Sequence, residues 1–279
     1  MEPKASPEKK SIFREPIVMV AIIGLIGTVI TAILGPIVVQ KLTSPTPTSV
    51  MAPAAIDTVA IPTPTYFQSI GSESYAVQLL AEAKNWPVVA FEPFDVNQRG
   101  WLEDDVISSS LEASHRIETG QYFLRIKGLA PTASRWGNPL KVDPVQDFYA
   151  SIRVQRISDL GDLRTGLIFR YQGNRIFYNF LIYMDGHFQI RYYDDNDATA
   201  QTTADFAYLP TTLVNPSASN KLTVIGIGND YWFYINDQFV HHMNDAQLSG
   251  GTVGLFVGVK EIGQEAQVAF DDFELRKAP

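Results

Sequence analysis

Cysteine is missing from all 279 residues. Its absence removes disulfide frameworks, Cys-ligated zinc, iron–sulfur clusters and thiol nucleophiles together. A basic excess is missing too. Against 30 Asp and Glu stand 22 Lys and Arg, for a formal net charge of −8. The chain therefore lacks the positive footprint that phosphate backbones require, and no nucleic-acid partner is expected. No Walker A loop, dinucleotide fingerprint or G-x-S-x-G elbow occurs. What is present is 46% hydrophobic and 19% charged sequence, enough apolar material for a sizeable packed core.

Charge is also absent from residues 16–39, where Ile, Val, Leu, Ala and Gly dominate. At ~1.5 Å per residue this run makes a helix of about 36 Å, sufficient to cross a ~30 Å hydrocarbon layer with some tilt. A cleaved signal peptide is the rival reading, but its apolar region is usually shorter and ends in a small-residue site. Gly35-Pro36-Ile37-Val38-Val39 has no such pattern, so an uncleaved anchor over 16–40 is expected. Lys4, Lys9, Lys10 and Arg14 precede it and Lys41 alone follows closely. The positive-inside bias then leaves residues 1–15 cytoplasmic and the C-terminal domain extracellular, in a single-pass cell-membrane protein. Gly27, Thr31 and Gly35 recur every fourth residue, a small-residue face suited to self-association, although such residues are also ordinary in membrane helices.

Residues 41–70 read as a stalk. The stretch 42–65 holds five prolines, six threonines and one charge, Asp57. Proline fixes φ and removes backbone donors, so the segment favours extended polyproline-like structure, reaching up to about 75 Å at ~3.1 Å per residue. A short helix is expected within the lead-in, 71–87, capped by Ser72 or Ser74. Tyr75, Leu79, Leu80 and Ala83 lie near one face before Trp86-Pro87 stops it.

Beyond Val88 the hydrophobic period changes from 3.6 to 2. Phe148, Ala150, Ile152 and Val154 alternate with Tyr149, Ser151, Arg153 and Gln155, and similar runs end at Tyr171, Tyr183 and Tyr193. Further runs cover 221–227, 231–235, 239–243, 252–259 and 266–275, with turns at Gly228-Asn229-Asp230 and Asn236-Asp237 between some of them. Many short strands without interleaved helices predict an all-β fold over 88–279, a two-sheet antiparallel β-sandwich; an up-and-down barrel is the rival. In the last run Val268 and Phe270 have one parity and Phe273 and Leu275 the other, so a β-bulge near Asp271-Asp272 is expected to turn all four inward.

Several segments carry a family likeness: Trp101 after an F-x-x-F-D stretch at 91–95, GLIFRY at 166–171, YNFLIY at 178–183, KLTVIGIGNDYWFYINDQFV at 221–240, GGTVGLFV at 250–257 and VAFDDFEL at 268–275. Together these resemble the concanavalin A-like lectin/glucanase jelly roll, in the laminin-G-like branch that includes 3-keto-disaccharide hydrolase domains. The resemblance implies a jelly roll and a sugar-related function.

Glycoside hydrolysis usually needs two carboxyl groups flanking the bond. The E-x-D-x-E or E-x-D-x-x-E spacing that glucanases of this fold carry on one strand is missing here. Glu103-Asp104-Asp105 read as a solvated turn, and FDDF replaces the more basic ending of the keto-sugar hydrolases. His241 and His242 are adjacent in a strand and so point to opposite faces, while His115 and His187 are isolated. Asp194-Asp195-Asn196-Asp197 has oxygen ligands but no EF-hand glycine or distal glutamate. Asp271 and Asp272 are read as bulge residues, with a structural Ca²⁺ contact as the alternative; no cofactor is required.

The outward parity of the four runs between Phe148 and Tyr193 is more suggestive. Taken as neighbours in one sheet, they present Tyr149, Arg153, Arg170, Asn179, Tyr183, Gln189, Arg191 and Tyr193. Aromatic rings cover the C–H faces of sugars, while Arg, Asn and Gln hydrogen-bond hydroxyls. The expected function is non-catalytic binding of a glycan or other surface ligand. A keto-sugar hydrolase and a structural protein-interaction module are the alternatives.

Overall fold

The computed structural model of the chain describes residues 72–173, 175–194 and 205–279. The expected tail, membrane span and stalk, with the Gly27/Thr31/Gly35 face, lie outside these described residues, as does most of 194–197. Among the described residues no helix is long and apolar enough to cross a membrane.

Strands alternate inward and outward residues, and this alternation builds two antiparallel sheets. The nine-stranded sheet runs β13 (Gln238–Asn244), β12 (Asp230–Ile235), β11 (Asn220–Ile227), β6 (Phe148–Arg156), β15 (Glu265–Lys277), β4 (Gln121–Gly128), β3 (Leu111–Glu118) and β2 (Asp105–Ile107). β1 (Val88–Glu92) also pairs with β15. The six-stranded sheet runs β10 (Asp205–Pro210), β9 (His187–Asp194), β8 (Ile176–Tyr183), β7 (Arg164–Tyr171), β14 (Thr252–Gly258) and β5 (Ser134–Gly137). The sandwich expected from the period-2 pattern is therefore present, as two sheets.

The core lies between the layers. Phe148, Ile152, Leu222, Phe233 and Phe270 come from the larger sheet, and Phe169, Tyr178, Phe180, Ile190 and Leu255 from the smaller. Phe180 packs on Phe233 at 5.1 Å between ring centroids, and Phe169 on Tyr231 at 5.4 Å, so aromatic pairs bridge the sheets.

β15 joins the larger sheet together. Its first half pairs with β4, its second half with β1, and its other edge with β6 from Val268 to Lys277. The exchange of neighbours coincides with the expected bulge. Register slips between Asp271 and Glu274, and Asp272 takes a left-handed φ of 50°. One extra residue reverses parity, and Val268, Phe270, Phe273 and Leu275 are all fully buried. The Asp272 amide donates to Asp271 Oδ1 at 2.7 Å, and Asp272 Oδ2 accepts from Arg153 Nε at 2.9 Å.

The expected helix is α1 (Glu73–Ala83). The Ser72 hydroxyl accepts from the Tyr75 amide at 3.2 Å as its N-cap. Ala76, Leu79, Leu80 and Ala83 bury against Tyr149, Ile225, Trp232 and Tyr234 on the outer face of the larger sheet. The Tyr234 hydroxyl donates to Ala76 O at 2.8 Å, fixing the helix on that face.

His115 is buried in β3. Its Nδ1 meets Asp104 Oδ1, and its ring lies parallel to Tyr122 at 6.0 Å. Burial pushes the imidazole below its ordinary 6.5, against the raising effect of its hydrogen bond to Asp104. Burial, assisted by His242, lowers His241 in the same way. The unfolded chain thus takes up more protons once pH falls below about 6.5, so stability present above that pH is lost on acidification. Thermal melts are expected to show Tm falling from about pH 7.5 to 5.5, and His115→Gln to flatten that fall; an unchanged slope in the variant contradicts the assignment. In the core, Phe180→Ala is expected to cost about 3–5 kcal/mol in denaturant titrations.

Candidate functional site

The four strand runs expected in one sheet are divided between two. β6 belongs to the nine-stranded sheet, and only β7, β8 and β9 are neighbours in the other. The step from β6 to β7 crosses between layers, and adjacency in sequence does not report this. Two residues therefore leave the expected site. Tyr149 is fully buried among the residues beneath α1, and Arg153 forms its exposed ion pair with Asp272.

Arg170 leaves for a different reason. Register slips between Thr252 and Gly254 opposite β7, and Arg170 adopts a φ of 58°. The side chain turns away from the outer face and is 1% exposed. Its Nη1 donates to Ser249 O at 2.7 Å and Val145 O at 3.5 Å, Nη2 to Gly228 O at 3.0 Å, and Nε to the Tyr231 hydroxyl at 3.2 Å. The guanidinium also lies over the Phe148 and Tyr231 rings at 5.3 and 5.4 Å. Gly251 allows this approach: a Cβ there would stand 2.4 Å from the Arg170 carbonyl carbon.

The other five residues share the outer face of the six-stranded sheet. Cross-strand register aligns Asn179 with Arg191, Leu181 with Gln189 and Phe177 with Tyr193. Asn179 and Gln189 are buried, whereas Tyr183, Arg191 and Tyr193 are half-buried. The Tyr183 hydroxyl donates to Gln189 Oε1 at 2.7 Å.

The structure adds residues to this face. Ile168, Phe177, Leu181 and Phe256 form a buried apolar floor, and half-buried Trp136, Tyr171 and Tyr193 pack upon it. Phe177 stacks with Tyr193 at 4.8 Å and meets Trp136 at 5.5 Å and Tyr171 at 6.0 Å. At the other end Tyr208, half exposed, stacks on His187 at 5.0 Å and abuts Tyr183 at 5.5 Å. Arg164 lies between, its Nη2 donating to Val259 O at 3.1 Å. A Cβ on Gly258 would come within 3.1 Å of that guanidinium, so glycine makes room for it. Burial lowers the Arg164 pKa, and the nearby Arg191 charge acts in the same direction, against Tyr183.

Sequence parity missed Tyr171 because the Arg170 bulge reverses it. Trp136 was missed because β5 is only four residues long. Among the described strand residues of this face there is no Asp or Glu; Asp185, in the turn before β9, meets His187 Nδ1 at 3.0 Å at the Tyr208 end.

Other clusters are engaged internally. Asp104 holds His115 and also Arg135, at 3.3 Å. His242 Nε2 meets Asp230 at 2.9 Å on the outer side of the larger sheet, while His241 turns toward Phe188 and Phe233. A depression of about 450 Å³ beside β2 and β3 is edged by charged residues, of which Lys127 pairs with Glu265 at 2.8 Å and Arg125 with Glu118 at 2.8 Å. Among the described residues no three His, Asp or Glu side chains converge as a metal site.

No family model and no curated protein matches the chain. Among solved structures it is similar to a carbohydrate-binding module from Bacillus subtilis, with 14% identity over 69% of this chain and 98% of that one, at a TM-score of 0.41. It is also similar to a β-glucanase from Bacillus licheniformis, with 10% identity, 69% and 99% coverage and a TM-score of 0.49. A third likeness is to a protein of unknown function with a galectin-like fold from Bacillus subtilis, with 11% identity, 68% and 96% coverage and a TM-score of 0.49. These neighbours are concanavalin A-like jelly-roll sandwiches. The architecture of this chain rests on its own strand order and register.

Removing the buried guanidinium takes the Arg170 donors from Ser249 O and Gly228 O, at about 1–3 kcal/mol for each buried group. Arg170→Met is therefore expected to destabilise by about 3 kcal/mol or more in urea titration. Arg153→Met, which breaks an exposed pair, should cost about 0–1 kcal/mol.

Proposed function

We propose that the chain is a non-catalytic saccharide-binding protein, with the ligand held on the outer face of the six-stranded sheet. One observation carries this reading: half-buried Trp136, Tyr171 and Tyr193 stand beside Asn179, Gln189, Arg164 and Arg191 on a single face, with no carboxylate among its described strand residues. Rings of this kind lie against the C–H faces of sugars, and amides and guanidiniums bond their hydroxyls. Hydrolysis would instead call for two carboxyl groups about 5–9.5 Å apart.

The outer face of the larger sheet is unsuited to the same task where α1 covers Tyr149, Ile225 and Trp232. In this reading residues 16–40 anchor the chain in the bilayer, residues 41–70 act as a spacer, and the sandwich is presented outside the cell.

A glycan array probed with the full chain, solubilised in a sugar-free detergent, tests the proposal. Binding of at least one saccharide class is expected, and Trp136→Ala and Tyr193→Ala should each weaken it by roughly tenfold, the equivalent of about 1.4 kcal/mol. Arg153→Ala should leave it unchanged. Binding of no saccharide, or binding indifferent to both aromatic substitutions, refutes the site. Release of new reducing ends from a bound glycan would move the protein to the hydrolases.

A further inference from the structure

A cleft of about 740 Å³ opens at the Tyr171 end of the aromatic face, between the segment leading from β5 to β6 and the turn leading into β14. Its size falls within the ~300–1,000 Å³ typical of small-molecule sites. The lining includes Asn138, Gln146, Tyr171, Gln172, Ser249 and Thr252.

Both walls are fixed in place. Val145 and Gly251 exchange backbone hydrogen bonds at 3.0 and 3.2 Å. Arg170 donates to Val145 O and Ser249 O from below, and Gln172 Nε2 donates to Gly250 O at 3.2 Å. A cleft held this way needs little ordering when a ligand enters.

The cleft is continuous with the aromatic face. Tyr171 belongs to both, since it lines the cleft and packs on Phe177. Beside Tyr171, Gly254 lets the end of β5 pack closely on β14: a Cβ there would meet Gly137 O at 2.5 Å and Asn138 Cβ at 3.0 Å. Tyr171 is thus the residue by which a ligand lying on the Trp136–Tyr193 rings would reach the cleft.

The chemistry of the lining is selective. Asn138, Gln146, Ser249 and Thr252 offer neutral donors and acceptors, and among the described residues no Asp, Glu, Lys, Arg or His lines the cleft. The guanidinium of Arg170 is buried beneath and committed to carbonyls. A charged group entering here would shed water without gaining a counter-charge, which is costly, whereas hydroxyls would find partners of their own kind.

We infer that this cleft is a second subsite that takes an uncharged sugar residue from the same chain whose neighbouring residues lie on the aromatic face. The inference rests on the saccharide-binding reading above and specifies where that ligand continues and what chemistry it has there.

Calorimetry with the full chain can test it, using neutral gluco-, galacto- and fructo-oligosaccharides of two to six units, with oligogalacturonate as the anionic comparison. Ser249 and Gln146 are exposed at the cleft rim, so Ser249→Trp and Gln146→Trp fill the cleft while leaving the backbone bonds intact. For a neutral series bound by the wild type, affinity should rise with chain length. Both fillers should abolish that rise and weaken the longest member by roughly tenfold, or about 1.4 kcal/mol, while the shortest member still binds. Trp136→Ala should weaken every member. If both fillers bind the longest oligosaccharide like the wild type, or if oligogalacturonate alone is bound, the subsite is overturned and the aromatic face stands. If none of these probes binds and the glycan array is also blank, the face itself fails and the subsite fails with it.

Discussion

The architecture depends on one buried cation. Arg170 sits where alternation in β7 would have sent it outward, yet a left-handed backbone turns its guanidinium onto the carbonyls of Val145, Gly228 and Ser249. These carbonyls belong to three separate connections, so a single side chain ties together the loops at one end of the sandwich. Desolvating a guanidinium is costly, and the cost is offset here by hydrogen bonds on several of its donors and by two aromatic rings. The same bulge releases Tyr171 to the outer face. Loop anchoring and surface chemistry are thus two results of one backbone irregularity.

Much of the fold was legible because strand alternation is a local signal. The runs around 148–155, 178–183, 221–227 and 252–259 all became strands, and the bulge at Asp271-Asp272 followed from a parity conflict among Val268, Phe270, Phe273 and Leu275. The helix over Glu73–Ala83 followed from its cap and its apolar spacing. The site was less legible. Parity says that a residue faces one side or the other, but not which sheet it belongs to, so Tyr149 and Arg153 were grouped with residues from the opposite layer. No sequence pattern distinguishes the Arg170 bulge from regular strand, because GLIFRY reads as unbroken alternation. Asn179, Tyr183, Gln189, Arg191 and Tyr193 did fall together, since β8 and β9 form a hairpin whose pairing is set by a short turn.

The two outer surfaces of the sandwich have different fates. On the larger sheet, part of the apolar outer surface around Trp232 and Ile225 is sealed by α1, an element whose amphipathic face is its reason for folding. On the smaller sheet, the apolar floor of Ile168, Phe177, Leu181 and Phe256 is flanked by half-exposed aromatic and polar side chains from the sheet itself. Covering one face with a helix and leaving the other lined by rings and amides gives the domain a distinct front and back.

β15 has a consequence for biosynthesis. It spans Glu265–Lys277 and is the hydrogen-bonded neighbour of β1, β4 and β6, strands made long before it. Until the ribosome has released those thirteen residues, the larger sheet remains as separate pieces with open edges, which are prone to pairing with other chains. Assembly of the sandwich therefore waits until β15 has left the ribosome, and the strands made before it have to be shielded until then.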